Sequence, residues 1–181
     1  DISYHSLVRQ LKKRLRNLKA QEKEQGRIFQ IPVCYGEDLG EDLSFVAANA
    51  GLTPEQVIEL HSGRDYLIYM LGFLPGFAYL GGLDSRLFTP RLEIPRTCIP
   101  AGSVGIGGEQ TGIYPLDSPG GWRLIGRTPL RPYDPGRSDP ILYRAGDSIR
   151  FFPVSRAEYE GIAHQVEEGC YQVKVEGRDG L

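Results

Sequence analysis

A chain of 181 residues, 40% of them hydrophobic, is long enough to close one core with at most a smaller attachment. Its formal charge of −2 supplies no general attraction to nucleic acid or anionic lipid, so small molecules and proteins are the expected partners. No apolar run reaches transmembrane length and the N-terminus lacks the order of a signal peptide, which predicts a cytoplasmic location and no membrane contact.

From Tyr4 to Lys23, Leu7, Leu11, Leu15 and Leu18 recur at helical spacing among Arg9, Lys12, Lys13, Arg14, Arg16 and Lys19, predicting an amphipathic helix that Gly26 ends. Its basic face reads as a solvated surface, and its leucine stripe needs a partner surface. Arg27 to Tyr35 is strand-like, with Pro32 placing it at an edge or near its start. A helix follows over Asp38 to Ala50, with Leu39, Leu43, Val46 and Ala47 on one face and Gly51 as terminator. Thr53, Pro54 and Gln56 then make a capping box for another, seated on the core by Val57, Ile58 and Leu60. Tyr66 to Leu71 reads as a strand, as do Ser103 to Ile106, Trp122 to Arg127 and Ser148 to Phe152. Many short strands with turn signals between them predict a mainly β fold with flanking helices, a closed or nearly closed barrel. Ser155 and Glu158 cap a last helix to Glu168, stopped by Gly169, and Tyr171 to Val175 makes a final strand.

Between Gly72 and Pro140 the chain concentrates its glycine and proline around aromatic residues in three blocks: GFLPGFAYLGGL from Gly72, PAGSVGIGGEQTGIYP from Pro100 and SPGGWRLIGRTP from Ser118. Rigid loops of this kind on a β scaffold are common binding sites. Nucleotide binding by the chain itself is not expected: the Gly105-Ile106-Gly107-Gly108 run fails the dinucleotide fingerprint, since Gln110 occupies the last required glycine, and no Walker lysine follows. Ser118 lies before Pro119 rather than in a nucleophile elbow. Cys34, Cys98 and Cys170 lack zinc spacing and read as reduced, partly buried thiols, so no metal is expected. His61, at the end of the capped helix, is the acid–base candidate, with a helix C-cap as its plain alternative. The fuller constellation is a substrate-binding pocket. Arg91, Arg96 and Arg127 carry guanidinium forks for a carboxylate, Gln110, Thr111 and Tyr114 offer an amide, a hydroxyl and a phenol, and Trp122 and Phe77 form apolar walls. That set suits a small amide or lactam acid; the alternative is that each arginine pairs with an acid and the loop residues are scaffold.

The same blocks, with Pro90-Arg91 and Pro95-Arg96 ahead of them, resemble the family of the 5-oxoprolinase B subunit, allophanate hydrolase subunit 1 and the sporulation kinase inhibitor KipI, from about Ile31 to Pro153. The resemblance implies a cyclophilin-like β-barrel over 27–153, a carboxyltransferase-type domain. It implies that 1–26 is the tail of a small N-terminal α/β domain, and a start upstream fits a chain whose only methionine is Met70; 154–181 is read as a helix-and-strand extension. It further implies an enzyme component that works with the A subunit and the barrel-bearing C subunit of a 5-oxoprolinase, opening 5-oxoproline to glutamate with ATP that the complex uses and this chain does not bind. Two alternatives stand beside it: a KipI-like inhibitor docking on a sensor histidine kinase through Leu74, Pro75 and Phe77, and an allophanate or urea amide hydrolase component. Where the family often reads Gly-Ile-Ala-Gly, glycine at position 107 is expected to add flexibility without removing a functional group.

Overall fold

A computed structural model describes residues 3–16 and 26–177. Helix α1 (Tyr4–Arg16) carries Leu7 and Leu11 half exposed, so that part of the leucine stripe has no cover among the described residues. Leu18, Lys19 and Lys23 of the predicted helix lie outside the described residues.

Alternating apolar residues build β1 (Ile28–Tyr35), whose Phe29, Ile31 and Val33 are buried. After a 3₁₀ turn at Glu37–Leu39, α2 (Leu43–Ala50) buries Leu43, Val46 and Ala47 and ends at Gly51 in the left-handed region. Thr53 and Gln56 form the capping box of α3 (Pro54–Ser62). The remaining strands are β2 (Asp65–Leu71), β3 (Ala78–Gly81), β4 (Arg96–Ile99), β5 (Ser103–Gly107), β6 (Gln110–Ile113), β7 (Ser118–Gly120), β8 (Arg123–Arg127) and β9 (Ser148–Pro153). Then α4 (Arg156–Glu167) starts on its Ser155–Glu158 capping box, and β10 (Val175–Glu176) follows.

The main sheet runs β3-β2-β9-β1-β8-β5-β6, with β10 also on β1, while β4 and β7 make a separate ribbon. Its two ends curl together. β3 and β6 lie side by side, and a Cβ built on Gly112 would stand 3.4 Å from the Ala78 carbonyl oxygen. The result is the nearly closed barrel expected of the turn-rich pattern. Ile31, Val33, Ile68, Val104, Ile106, Ile113, Ile125 and Ile149 fill it, and α2 and α3 cover it with Val46, Ala47 and Val57. Each such side chain contributes about 1.5–3 kcal/mol by leaving water.

Three local expectations change. β1 is interior in the sheet, yet Pro32 fits there. The Gln30 N–H donates to Lys174, and β8 is met only at Cys34 and Tyr35, so the even-numbered Pro32 turns its missing donor into the gap between β10 and β8. The last strand is confined to Val175 and Glu176; Tyr171 and Val173 pack on the core without joining a ladder. Of the three thiols only Cys34 is buried, since Cys98 and Cys170 are exposed.

Candidate functional site

A second apolar cluster, Phe77, Ile99, Tyr114, Trp122 and Leu124, lies apart from the main core. Its centre is the indole of Trp122, immediately before β8. Glycines make the space for it. A Cβ on Gly105 would stand 3.2 Å from the Trp122 Cβ, one on Gly112 3.2 Å from the ring, and one on Gly107 would fall inside van der Waals contact with three of its atoms. Gly107 therefore supplies room for the indole rather than flexibility.

Phe77 meets Trp122, Tyr114 and Tyr79 edge to face at centroid distances of 5.6, 5.8 and 5.4 Å. It is held there by the turn before it. Phe77 N–H donates to Leu74 across Pro75 and Gly76, Gly76 takes φ +80, and the Tyr143 hydroxyl donates to the Gly76 carbonyl at 2.9 Å. Phe77 is thus buried and Leu74 half-buried against the same cluster, while Phe73 and Pro75 beside them are exposed.

A pocket of about 160 Å³ opens beside this cluster, lined by Trp122, Phe77, Tyr114, Arg91 and Gln110 together with Phe73, Tyr79 and the Pro119-Gly120-Gly121 turn. Arg91 reaches over the indole, its guanidinium carbon 5.8 Å from the ring centroid. Among the described residues neither the Arg91 guanidinium nor the Gln110 carboxamide has a hydrogen-bond or ion-pair partner. Burial raises the Tyr114 pKa, offset in part by the Trp122 backbone and by the nearby Arg91 and Arg96 charges, so the phenol keeps its proton and can offer it to the pocket. The pocket thus combines flat apolar walls with one cation, one carboxamide and two phenols, a set matched to a small acid with an amide.

The other residues expected at the site are committed elsewhere. Arg96 pairs with Asp42 and Glu41, each at 2.9 Å, and donates to the Trp122 carbonyl, so it positions the indole's backbone instead of offering a free fork. Asp42 also accepts the Leu124 N–H at 2.7 Å and faces Arg123 at 3.5 Å. Replacing Asp42 with alanine orphans the buried Leu124 N–H and leaves Arg96 with Glu41 as its one carboxylate; chemical denaturation should show about 2 kcal/mol lost. An unchanged midpoint would mean that Glu41 alone holds Arg96.

Thr111 follows Gln110 on β6 and points the opposite way, into the core. Its hydroxyl donates to the Gly105 carbonyl at 3.0 Å, so it accepts from His61 Nε2 at 2.8 Å; His61 Nδ1 then accepts from the Tyr35 hydroxyl at 2.8 Å. His61 is wholly buried and stacks on Phe151 at 4.6 Å, and burial lowers its pKa to about 3. With both nitrogens engaged and the imidazolium disfavoured, it has the environment of a structural histidine and does not line the pocket. Nor does it cap its helix as a cation. Arg127 also lies off the pocket, opposite Cys34 on β1, with its side chain against Tyr159 of α4.

Phe73, Tyr79 and Pro119 also line the pocket, although the sequence does not single them out. The glycine–proline blocks contain all three, but nothing in local spacing distinguishes a lining residue from a scaffold one.

The family model described as carboxyltransferase domain, subdomain C and D, matches residues 1–143. The chain is 47% identical over 162 residues to the 5-oxoprolinase B subunit of Bacillus subtilis, covering 90% of this chain and 68% of that protein. It is 57% identical over 129 residues to the 5-oxoprolinase B subunit of Escherichia coli O157:H7, covering 71% of this chain and 59% of that protein. The chain therefore spans roughly six- to seven-tenths of the length of these relatives. Among solved structures it is similar to the conserved uncharacterized protein PH0987 of Pyrococcus horikoshii, with a TM-score of 0.72 and 50% identity over 87% of this chain and 72% of that one.

Proposed function

This chain belongs to the family of the carboxyltransferase domain, subdomain C and D, and from that premise we propose that it works as the B subunit of an ATP-dependent 5-oxoprolinase. Its barrel would contribute a substrate pocket to a complex with the A subunit and the barrel-bearing C subunit, with ATP handled by the complex. The observation that carries this reading is the uncommitted pair Arg91 and Gln110 on an aromatic-walled pocket of about 160 Å³. 5-Oxoproline is a flat lactam with one carboxylate. Arg91 would meet the carboxylate, Gln110 would pair with the lactam amide, and the Tyr114 proton would reach a carbonyl oxygen. Trp122 and Phe77 exclude water around the ring, which strengthens each polar contact.

The test is glutamate release from 5-oxoproline and ATP by the complex assembled from its full-length components, with and without this one. Release that requires this component supports the reading; a stable, intact complex with no release rules it out. Within an active complex, Arg91→Gln should raise KM for 5-oxoproline about ten-fold with a smaller change in kcat, since one charge-assisted hydrogen bond is lost. An unchanged KM would remove Arg91 from the carboxylate site.

A further inference from the structure

Phe73 is one of only two non-glycine residues with positive φ among those described, at +70°. The Leu74 N–H donates to the Gly72 carbonyl at 2.9 Å, which makes Phe73 the centre of a γ-turn of the left-handed, strained kind. Glycines stand at 72 and 76, yet the strain falls on a large aromatic side chain between them. The loop is over-determined: Gly72 N–H donates to Phe77, Phe77 N–H to Leu74, and Tyr143 to Gly76. This is how an unfavourable backbone angle persists, and such angles concentrate at ligand clamps.

The ring gains little from the fold in return. It is 65% exposed, and among the described residues its one ring partner is Phe77, at 5.5 Å and 83°. Trp122 also meets Phe77 steeply, at 70°, so Phe73 and Trp122 share Phe77 as a neighbour, and all three rings line the pocket. An exposed aromatic held rigidly beside an open space is preorganised to cover something flat.

We propose that Phe73 is a ligand-contacting, specificity-determining residue of this pocket, its ring held by the γ-turn to cover one face of a small planar amide or lactam whose carboxylate meets Arg91. The role rests on the reading of the pocket as a substrate site. It accounts for both the strain and the exposure, which packing alone does not.

The experiment compares Phe73→Gly, Phe73→Ala and Phe73→Tyr in the complex assembled from its full-length components, reading KM and kcat for 5-oxoproline and the Tm of this protein on its own. Glycine removes the ring and also the strain, so its Tm is expected to be no lower than that of the unmodified protein, while KM rises about ten-fold for the lost apolar contact. Alanine keeps the Cβ strain without the ring and is expected to melt below the glycine variant. Tyrosine keeps the flat face and should leave KM near its original value. A KM unchanged in the glycine variant overturns the role of Phe73 while leaving the substrate reading standing. Alanine as stable as glycine overturns the argument from strain. Absence of any release by the unmodified complex removes the substrate reading, and the role of Phe73 with it.

Discussion

Lowering the pH from 7 to 4.5 is expected to cost the fold roughly 3 kcal/mol through a single residue, His61. The ring is wholly buried, and burial holds its pKa at about 3 against an ordinary value of 6.5. The unfolded chain therefore takes up a proton below about pH 6.5 that the folded protein refuses. Stability from this group is complete above that value and is lost progressively as pH falls toward 3, the folded pKa. Above about pH 5.5 the slope belongs to the histidine; closer to pH 4.5, carboxylates that the fold holds below their ordinary values, such as Glu55, Glu158 and Asp147, begin to take up protons in the unfolded chain and add to it, and the difference from the His61→Gln slope isolates the ring. Urea denaturation at several pH values between 7 and 4.5 measures the slope, and His61→Gln should flatten it. At pH 7, His61→Ala should cost about 3–5 kcal/mol, since it opens a cavity and leaves the Tyr35 and Thr111 hydroxyls without their partner. A pH-independent midpoint in the unmodified protein would mean that the buried ring accommodates a proton, and the Tyr35-His61-Thr111 arrangement would need another protonation scheme.

Gly102→Ala is expected to destabilise the protein by about 3 kcal/mol or more, through two independent causes. Gly102 takes φ +81 in the turn that closes Ser103 N–H onto the Pro100 carbonyl, a conformation that any Cβ strains. A Cβ there would also press into the Thr128 carbonyl oxygen, which is backbone and cannot swing away. The same residue donates to the Tyr114 carbonyl at 2.7 Å and accepts from the Thr128 N–H at 2.9 Å, so relief by movement would disturb the pocket residue Tyr114. Gly108→Ala separates the causes. Gly108 has φ +66 with nothing within 4 Å of a built Cβ, so alanine there should cost only about 1 kcal/mol. Equal losses at the two positions in chemical denaturation would show that the Thr128 contact is relieved without cost.

The Asp42 variant tests a different layer of the same architecture. Asp42 reaches Arg96 across 54 residues of sequence and Leu124 across 82, so no window of local spacing connects them. From the sequence, Arg96 and Arg91 are equivalent members of two Pro-Arg pairs. In the folded chain one is held by two carboxylates and the other stands free over an indole.

What the sequence determined by itself is whatever adjacent residues write. The Thr53 and Ser155 capping boxes, the left-handed stops at Gly51 and Gly169, the strand alternation of β1 and the rigid turns of the glycine–proline blocks all depend on neighbours within a few positions, and all are found where the pattern puts them. The ordered motifs also specified the family. Tertiary structure alone decided which side of β6 met which compartment, sending Gln110 to the pocket and Thr111 to a buried histidine. It decided that Pro32 sits inside the sheet and that Gly107 serves the volume of Trp122. It also left Phe73 exposed on a strained turn. The reason is physical: caps and turns are satisfied by bonds a few residues long, whereas burial, charge pairing and the space beside an indole exist only after distant strands have closed around them.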